Sequence, residues 1–163
     1  MLRWYWSGRR EHMDVMTDWL LSAELASEVE HDPLRPLYDA AARGELALPF
    51  CASCKLTLEL EQFVCDGCGG QQPDWRVVAP EGVVHSSTVM HRREPGLVLT
   101  DAPYPVVDVE LASGHRLIMT TLHPDPDAPA IGSAVRVAFR RLGTVHIPAV
   151  TNSADTTELG ELA

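Results

Sequence analysis

The chain has 163 residues, of which 45% are hydrophobic, so it is long enough for one medium domain or two small ones around a buried core. Its formal net charge is -10, with 12 arginines and a single lysine, and this acidic balance disfavours binding to nucleic acid. No apolar run approaches the roughly 18 residues of a membrane span, and the N-terminus lacks the apolar region of a secretory signal, which predicts a cytoplasmic protein.

The N-terminal part is predicted to begin with a disordered stretch, residues 1–16, in which no periodic apolar pattern continues. The next stretch, "TDWLLSAELASEVE", places apolar side chains at the i, i+4, i+8 spacing of one helix face, at Leu21, Leu25 and Val29. This spacing predicts an amphipathic helix, and the threonine and aspartate before it are both suited to cap it.

A second helix is predicted in "DPLRPLYDAAARGEL". Asp32 can act as its N-cap with Pro33 in the first helical position, and Gly44 stands where a C-terminal glycine belongs. The N-terminal helices are therefore expected to span residues 17–46.

All four cysteines form two C-x-x-C pairs with ten residues between them: Cys51, Cys54, Cys65 and Cys68. Four thiolates on two tight knuckles are the ligand set of a tetrahedral zinc site, and a reducing cytosol disfavours disulfides. A thioredoxin-type redox site would need one pair at the start of a helix, whereas "LTLELEQFV" between the pairs resembles a strand. Iron of rubredoxin type uses the same ligands, so the spacing leaves iron open. Because four thiolates leave no open position, we expect a structural metal in a zinc ribbon over residues 47–76.

From residue 77 to 150 the sequence changes to short runs rich in β-branched residues and punctuated by proline, glycine and aspartate. The five runs are "VVHSSTVMHR", "YPVVDVELASG", "HRLIMTTLH", "AVRVAFRRL" and "TVHIPAV". In the second, Val107, Val109 and Leu111 alternate with acidic residues, as in a half-buried strand. Five such runs predict a small closed barrel, and the polar tail, residues 151–163, is predicted to be flexible.

No catalytic residue is predicted. His85 and His91 lie near two serines, but there is no G-x-S-x-G motif and no organising carboxylate nearby in the sequence. Solvent-facing strand side chains are the simpler interpretation, and His115 is explained by its place in a hairpin turn. No glycine-rich phosphate loop occurs, so no cofactor-binding residue is predicted either.

Several aromatic side chains permit two interpretations. Trp19, Trp75 and Tyr104 lie in apolar segments of a chain with limited interior. They could belong to the core or form a docking face for another protein, and the sequence leaves both interpretations open.

The order of these parts resembles the rubredoxin-like zinc-ribbon/OB-fold family known as domain of unknown function thirty-five. The resemblance covers roughly residues 33 to 150 and rests on ordered motifs: Gly44-Glu45-Leu46, the two cysteine pairs, Gly82 to Val89, Tyr104-Pro105, and Ile131 to Phe139. One departure is the acidic, aliphatic insert "KLTLELEQF", where family members often carry proline and aromatic residues. The implied fold is mainly β with N-terminal helices, a rubredoxin-like zinc ribbon and a five-stranded OB-fold barrel.

The resemblance implies a non-catalytic accessory subunit that binds and completes a thiolase-like enzyme acting on acyl-CoA substrates. The partner would hold the acyl-CoA, in a heterotetramer or a similar assembly. The preferred setting is an aldolase of steroid side-chain degradation, within lipid metabolism; acyl transfer in aromatic polyketide acylation and isoprenoid precursor synthesis are other settings of such proteins.

Three alternatives stay open. A stand-alone acyl-CoA-binding protein would need a basic site for the phosphates, around Arg92, Arg93 and Arg116. A nucleic-acid-binding OB protein and a hydrolase using His85 or His91 are less favoured. The doublets Arg92-Arg93 and Arg140-Arg141 are themselves interpreted as solvated surface.

Overall fold

The computed structural model describes residues 16–91 and 94–152. The predicted disordered start lies outside these ranges except for its last residue, and so do Arg92 and Arg93. Most of the predicted tail also lies outside them, but its first two residues belong to the last strand.

The helix predicted in "TDWLLSAELASEVE" is wrong. The stretch holds two single-turn 3-10 helices, Ala23–Leu25 and Val29–His31. Before them lies an irregular N-terminal segment, residues 16–22, with isolated bridges at Thr17 and Leu21 and a bend between them. This N-terminal segment is hydrogen-bonded to two neighbours: Asp18 N–H donates to Arg141 O at 2.9 Å, and Leu99 N–H donates to Leu20 O at 2.8 Å. Tertiary hydrogen bonds therefore override the helical spacing of the leucines.

The second predicted helix is present as α1, Arg35–Ala41. It begins two residues later than predicted, and its N-cap is Leu34 and not Asp32. Asp32 lies two residues before this cap, where its Oδ1 accepts from Leu34 N–H at 2.8 Å. Gly44 has a φ of 76°, the left-handed conformation that a glycine after a helix adopts without strain. No helix among the described residues is long and apolar enough to cross a membrane.

Two strands frame the cysteine region. β1, Leu46–Cys51, pairs antiparallel with β2, Pro73–Val78, so that Cys51 lies opposite Pro73. The chain between them leaves and re-enters this two-stranded sheet at the same end.

Five further strands form a nearly closed barrel. They are β3 (Glu81–Met90), β4 (Tyr104–Leu111), β5 (Arg116–Met119), β6 (Ala134–Leu142) and β7 (Val145–Asn152). Their order is β5-β4-β3-β6-β7, with every neighbour antiparallel. The sheet closes where the chain after β5 runs parallel to β7: Val150 N–H donates to Thr120 O at 2.9 Å, and Leu122 N–H to Val150 O at 2.7 Å. All five predicted runs are strands, and the predicted fold class is confirmed.

One apolar core joins the N-terminal part to the barrel. Leu37 of α1 and Leu46 and Leu48 of β1 pack in the same cluster as the inward residues of the barrel strands. At Gly82 the barrel is so tight that a Cβ atom would lie 2.6 Å from Val109 Cγ1. The predicted boundary between the ribbon and the barrel stays a prediction.

Candidate metal centre and docking surface

The two cysteine knuckles have the same backbone shape. In the first, Lys55 N–H donates to Cys51 O at 3.0 Å, and in the second, Gly69 N–H donates to Cys65 O at 2.8 Å. Each knuckle places its fifth residue at positive φ, 65° for Lys55 and 73° for Gly69. Glycine adopts this conformation freely, whereas for lysine it is uncommon. No sequence signal predicted the positive φ of Lys55.

The four predicted ligands lie together. The Sγ atoms of Cys51 and Cys68 are 3.5 Å apart, as are those of Cys54 and Cys65, and all four lie within 4.8 Å of one another. A tetrahedral zinc ion with bonds of about 2.3 Å would hold its sulfurs roughly 3.8 Å apart. The donor set therefore fits a single four-coordinate metal ion.

The backbone of Gly70 closes one side of this cluster. A Cβ atom at this position would lie 3.2 Å from Cys51 Sγ and 3.3 Å from Cys68 Sγ. A side chain would therefore press on two of the four sulfurs, and glycine leaves them room for a shared ligand.

The surroundings of Cys51 favour its thiolate. A hydrogen bond from the backbone of Cys54, with a smaller contribution from that of Ser53, lowers the pKa of the Cys51 thiol to about 6 although burial opposes it. Metal ions bind thiolates, so this knuckle is prepared for a cation. Cys51 and Cys65 are buried with Leu58, while Cys54 and Cys68 are exposed.

The insert between the knuckles is mostly irregular, with one turn at residues 60–61, and is not the predicted strand-like segment. Its only strand-type pairing is a single bridge between Phe50 and Thr57, among the residues that the structure describes. The insert carries exposed apolar side chains, and Phe63 is 72% exposed. We call Leu56, Phe63 and Val64 the ribbon apolar residues; their exposure makes this loop a candidate docking surface.

His115 connects the ribbon to the barrel. Its Nε2 donates to Pro49 O at 2.9 Å, because a carbonyl oxygen only accepts, and its Nδ1 therefore accepts from the Ser113 hydroxyl at 3.0 Å. The ring also packs edge-on against Phe50, with centroids 4.8 Å apart. The sequence explained this histidine by the hairpin turn alone; its contact with β1 is long-range and left no local signal.

The other histidines considered for chemistry lie on the surface. His85 is an exposed residue at a register shift of β3, and its Nδ1 is 3.6 Å from Glu110 Oε2. His91 follows the same strand and is exposed. Neither lines a cavity found among the described residues.

The arginine doublet at the end of β6 is only partly surface. Arg141 is exposed, as predicted, but Arg140 is 2% exposed and forms a buried ion pair with Asp18, at 3.2 Å from Nη2 to Oδ2. The prediction for Arg140 is therefore wrong, because Asp18 and Trp19 on the N-terminal segment cover it. Arg116, considered for a phosphate site, is exposed and paired with Asp108.

The three aromatic side chains that permitted two interpretations, Trp19, Trp75 and Tyr104, are all partly buried. Trp19 stacks on the Arg140 guanidinium and donates from Nε1 to Thr121 O at 3.1 Å, and Trp75 packs partly buried against the core. The exposed apolar side chains near Tyr104 are instead two leucines of the segment before β4, Leu97 and Leu99.

Two comparisons agree with this architecture. The family model described as ChsH2, C-terminal OB-fold domain, matches residues 75–140. The solved structure titled "Ltp2-ChsH2(DUF35) aldolase" contains a chain that is 27% identical and superposes with a TM-score of 0.63, covering 77% of this chain and 97% of that one. These similarities support assigning the chain to the DUF35 family of OB-fold proteins.

Two further relatives extend the comparison. A DUF35 protein of unknown function from Sulfolobus solfataricus has a TM-score of 0.50 at 12% identity, over 76% of this chain and 89% of that one, and supports the fold alone. A probable enoyl-CoA hydratase alpha subunit from Thermomonospora curvata is 33% identical over 98 residues, which are 60% of this chain. The chain spans only 30% of that curated relative.

Proposed function

We propose that this DUF35 chain is a non-catalytic accessory subunit that binds and completes a thiolase-superfamily enzyme acting on acyl-CoA substrates. The preferred setting is an aldolase of steroid side-chain degradation. The observation that carries the proposal is the similarity to a chain of the structure titled "Ltp2-ChsH2(DUF35) aldolase". The similarity extends over 97% of that other chain.

The surface of the ribbon supports a docking role. Phe63 is 72% exposed, and Leu56 and Val64 on the same loop are about half exposed. Such side chains cost free energy in water and contribute to affinity once another protein covers them. The ribbon apolar residues would be the docking element, and the barrel would carry them as a rigid scaffold.

We also propose that Cys51, Cys54, Cys65 and Cys68 hold one structural zinc ion. When bound, zinc would fix the two knuckles relative to each other and would have no open coordination position for chemistry. The close sulfur atoms and the lowered pKa of Cys51 support this assignment. Cys51→Ser is expected to lose metal and solubility together, and a soluble, metal-free variant that still binds its partner would argue against a structural metal.

The test of the accessory role is capture from the native host lysate with the tagged full chain, read by protein identification and by metal analysis of the same sample. The expected result is a thiolase-like protein in near-equal amount, with one zinc per chain. An enoyl-CoA hydratase in that position would instead agree with the name of the curated relative and contradict the thiolase partner. Retained acyl-CoA or nucleic acid with no protein partner would contradict the accessory role.

A pair of matched variants tests the docking surface. Phe63→Asp places a charge on the ribbon, and Ile131→Asp places one at an equally exposed position before β6. Phe63→Asp should lose the captured partner, whereas Ile131→Asp should retain it. Equal capture by both variants would exclude the ribbon as the docking element.

A further inference from the structure

A groove of about 830 Å³ lies where α1, the N-terminal segment, the ribbon insert and β5 meet. Its walls are mainly apolar and include Leu20, Leu37, Ile118, Met119 and Ile147. Ile118 is 76% exposed, although it stands beside side chains that are buried or half-buried. Apolar side chains that meet water at one place cost free energy, and they mark a surface that another segment covers.

The exposed charges of the groove are mostly acidic. Glu59 and Glu61 lie at its edge, and both are exposed. Arg116 also lines the groove, but Asp108 accepts a hydrogen bond from its Nε–H at 3.2 Å and offsets its charge. Asp108 foremost, and Glu59 more weakly, raise the pKa of Arg116. A segment that fits this groove is therefore apolar and carries a positive charge toward the two glutamates.

The buried polar groups behind the wall are closed to an occupant of the groove. Arg140 is 2% exposed, and Asp18 opposes its charge, with Oδ2 at 3.2 Å from Nη2. The atoms without hydrogen-bond partners among the described residues, Arg140 Nε and Nη1, Thr120 Oγ1 and Asp18 Oδ2, are likewise buried. The groove therefore presents apolar side chains and surface charges only.

Residues 1–15 of this chain have the composition that the groove requires. They precede the described part of the chain, and residues 2–6, "LRWYW", place four apolar or aromatic side chains around Arg3. We call residues 2–6 the aromatic segment; it holds two of the four tryptophans of the chain. Residues 1–15 carry three arginines against two acidic residues, whereas the whole chain has a formal net charge of -10.

The described part of the chain begins beside the groove. Arg141 N–H donates to Met16 O at 2.7 Å, and its neighbour Arg140 belongs to the wall. Trp6 is ten residues before Met16, and an extended chain of this length spans up to about 33 Å. A short tether also gives a local concentration on the order of millimolar, so that a weak contact is enough for occupancy.

We propose that the aromatic segment of the same chain binds in this groove, with its aromatic side chains against Ile118 and Arg3 toward Glu59 and Glu61. Tryptophan and tyrosine side chains bury about 150–250 Å² each, which makes them suited to cover the apolar walls. The contact lies within one chain and needs no partner enzyme, so it goes beyond the accessory role.

The contact can be tested on the zinc-loaded full chain labelled with 5-fluorotryptophan, by fluorine nuclear magnetic resonance. The signals of Trp4 and Trp6, assigned by substitution with phenylalanine, should differ from those of a free peptide of residues 1–15. They should not change on dilution, because the contact is intramolecular. Signals at the positions of the free peptide would overturn the proposal. A dependence on protein concentration would overturn it too, since a second copy would then supply the segment.

Matched variants locate the contact. Ile118→Ser should lower the ratio of bound to free segment roughly tenfold, whereas Ile131→Ser, at an exposed isoleucine outside the groove, should leave it unchanged. Unchanged signals in Ile118→Ser would overturn the proposal, because the segment would then lie elsewhere.

The charge of the rim supplies a second variant. Glu59→Gln with Glu61→Gln should lower the same ratio about threefold, and Glu24→Gln with Glu28→Gln, outside the groove, should not. An equal ratio in both double variants would contradict the proposed position of Arg3. Partner capture is a separate measurement, so this proposal and the accessory role can fail independently.

Discussion

Asp18→Asn should destabilise the fold far more than an ordinary surface substitution. Asparagine keeps the oxygen that accepts from the Leu20 and Leu21 amides, but an NH2 group replaces the charged oxygen opposite Arg140, so the guanidinium loses its counter-charge and its nearest acceptor. Burial already lowers the pKa of Arg140, and the Asp18 charge is what opposes that effect. At 3.2 Å the attraction is on the order of 5 kcal/mol with an effective dielectric constant of about 20. Leaving the guanidinium uncompensated should cost about 3–5 kcal/mol of unfolding free energy.

The assay is urea unfolding at neutral pH with zinc present, followed by tryptophan fluorescence. Glu81→Gln is the matched control, since it also removes one carboxylate from an ion pair with arginine, here the exposed pair with Arg136, and should cost under about 1 kcal/mol. Replacing both members, Asp18→Asn with Arg140→Met, should restore most of the lost stability. A loss for Asp18→Asn no larger than that of the control would refute the reasoning, because the guanidinium would then be hydrated.

Two further predictions concern the ribbon and the barrel. The Cys54 backbone lowers the pKa of the Cys51 thiol to about 6. In a pH titration of the metal-free chain, thiolate absorbance should therefore begin to rise near pH 6, and Cys51→Ser should lack this rise. Since the pKa in the fold lies below the ordinary 9.0, this ionisation should stabilise the metal-free fold fully above pH 9.0 and lose that effect as the pH falls through about 6. A first thiol ionisation at a pH no lower than that of an unfolded thiol would contradict the prediction. Gly82→Ala should cost about 1–3 kcal/mol in urea unfolding, because its Cβ would lie 2.6 Å from Val109 Cγ1 and 2.7 Å from Glu110 O, and an unchanged midpoint would contradict this tight contact.

The sequence predicts the barrel well because its strands bury one face. In β4 the alternation of Val107, Val109 and Leu111 with polar residues is the same alternation that the structure buries and exposes. The cysteine cluster could also be predicted from the sequence, since the spacing of the pairs brings four thiols together. Metal ligation by these thiols stays a prediction.

What the sequence does not show depends on contacts between distant segments. The leucines after Thr17 have helical spacing, but their backbone is bonded to β6 and to the segment before β4. Arg140 looks like surface in its own strand, and only the distant Asp18 and Trp19 make it a buried residue. The groove between α1, the N-terminal segment, the ribbon insert and β5 also depends on contacts between distant segments, so no local motif predicts it.

We expect the N-terminal segment to protect the protein against self-association. Met16 and Asp18 bond to the N–H and C=O groups of Arg141 on β6. If this segment detached, these groups would lie at an open sheet edge beside apolar side chains, and such edges are templates for strands of other molecules. Proteolysis or local unfolding of a few residues would thus create an aggregation-prone species while most of the barrel stayed folded. A segment that contributes little to the core therefore has a large effect on how long the protein stays monodisperse.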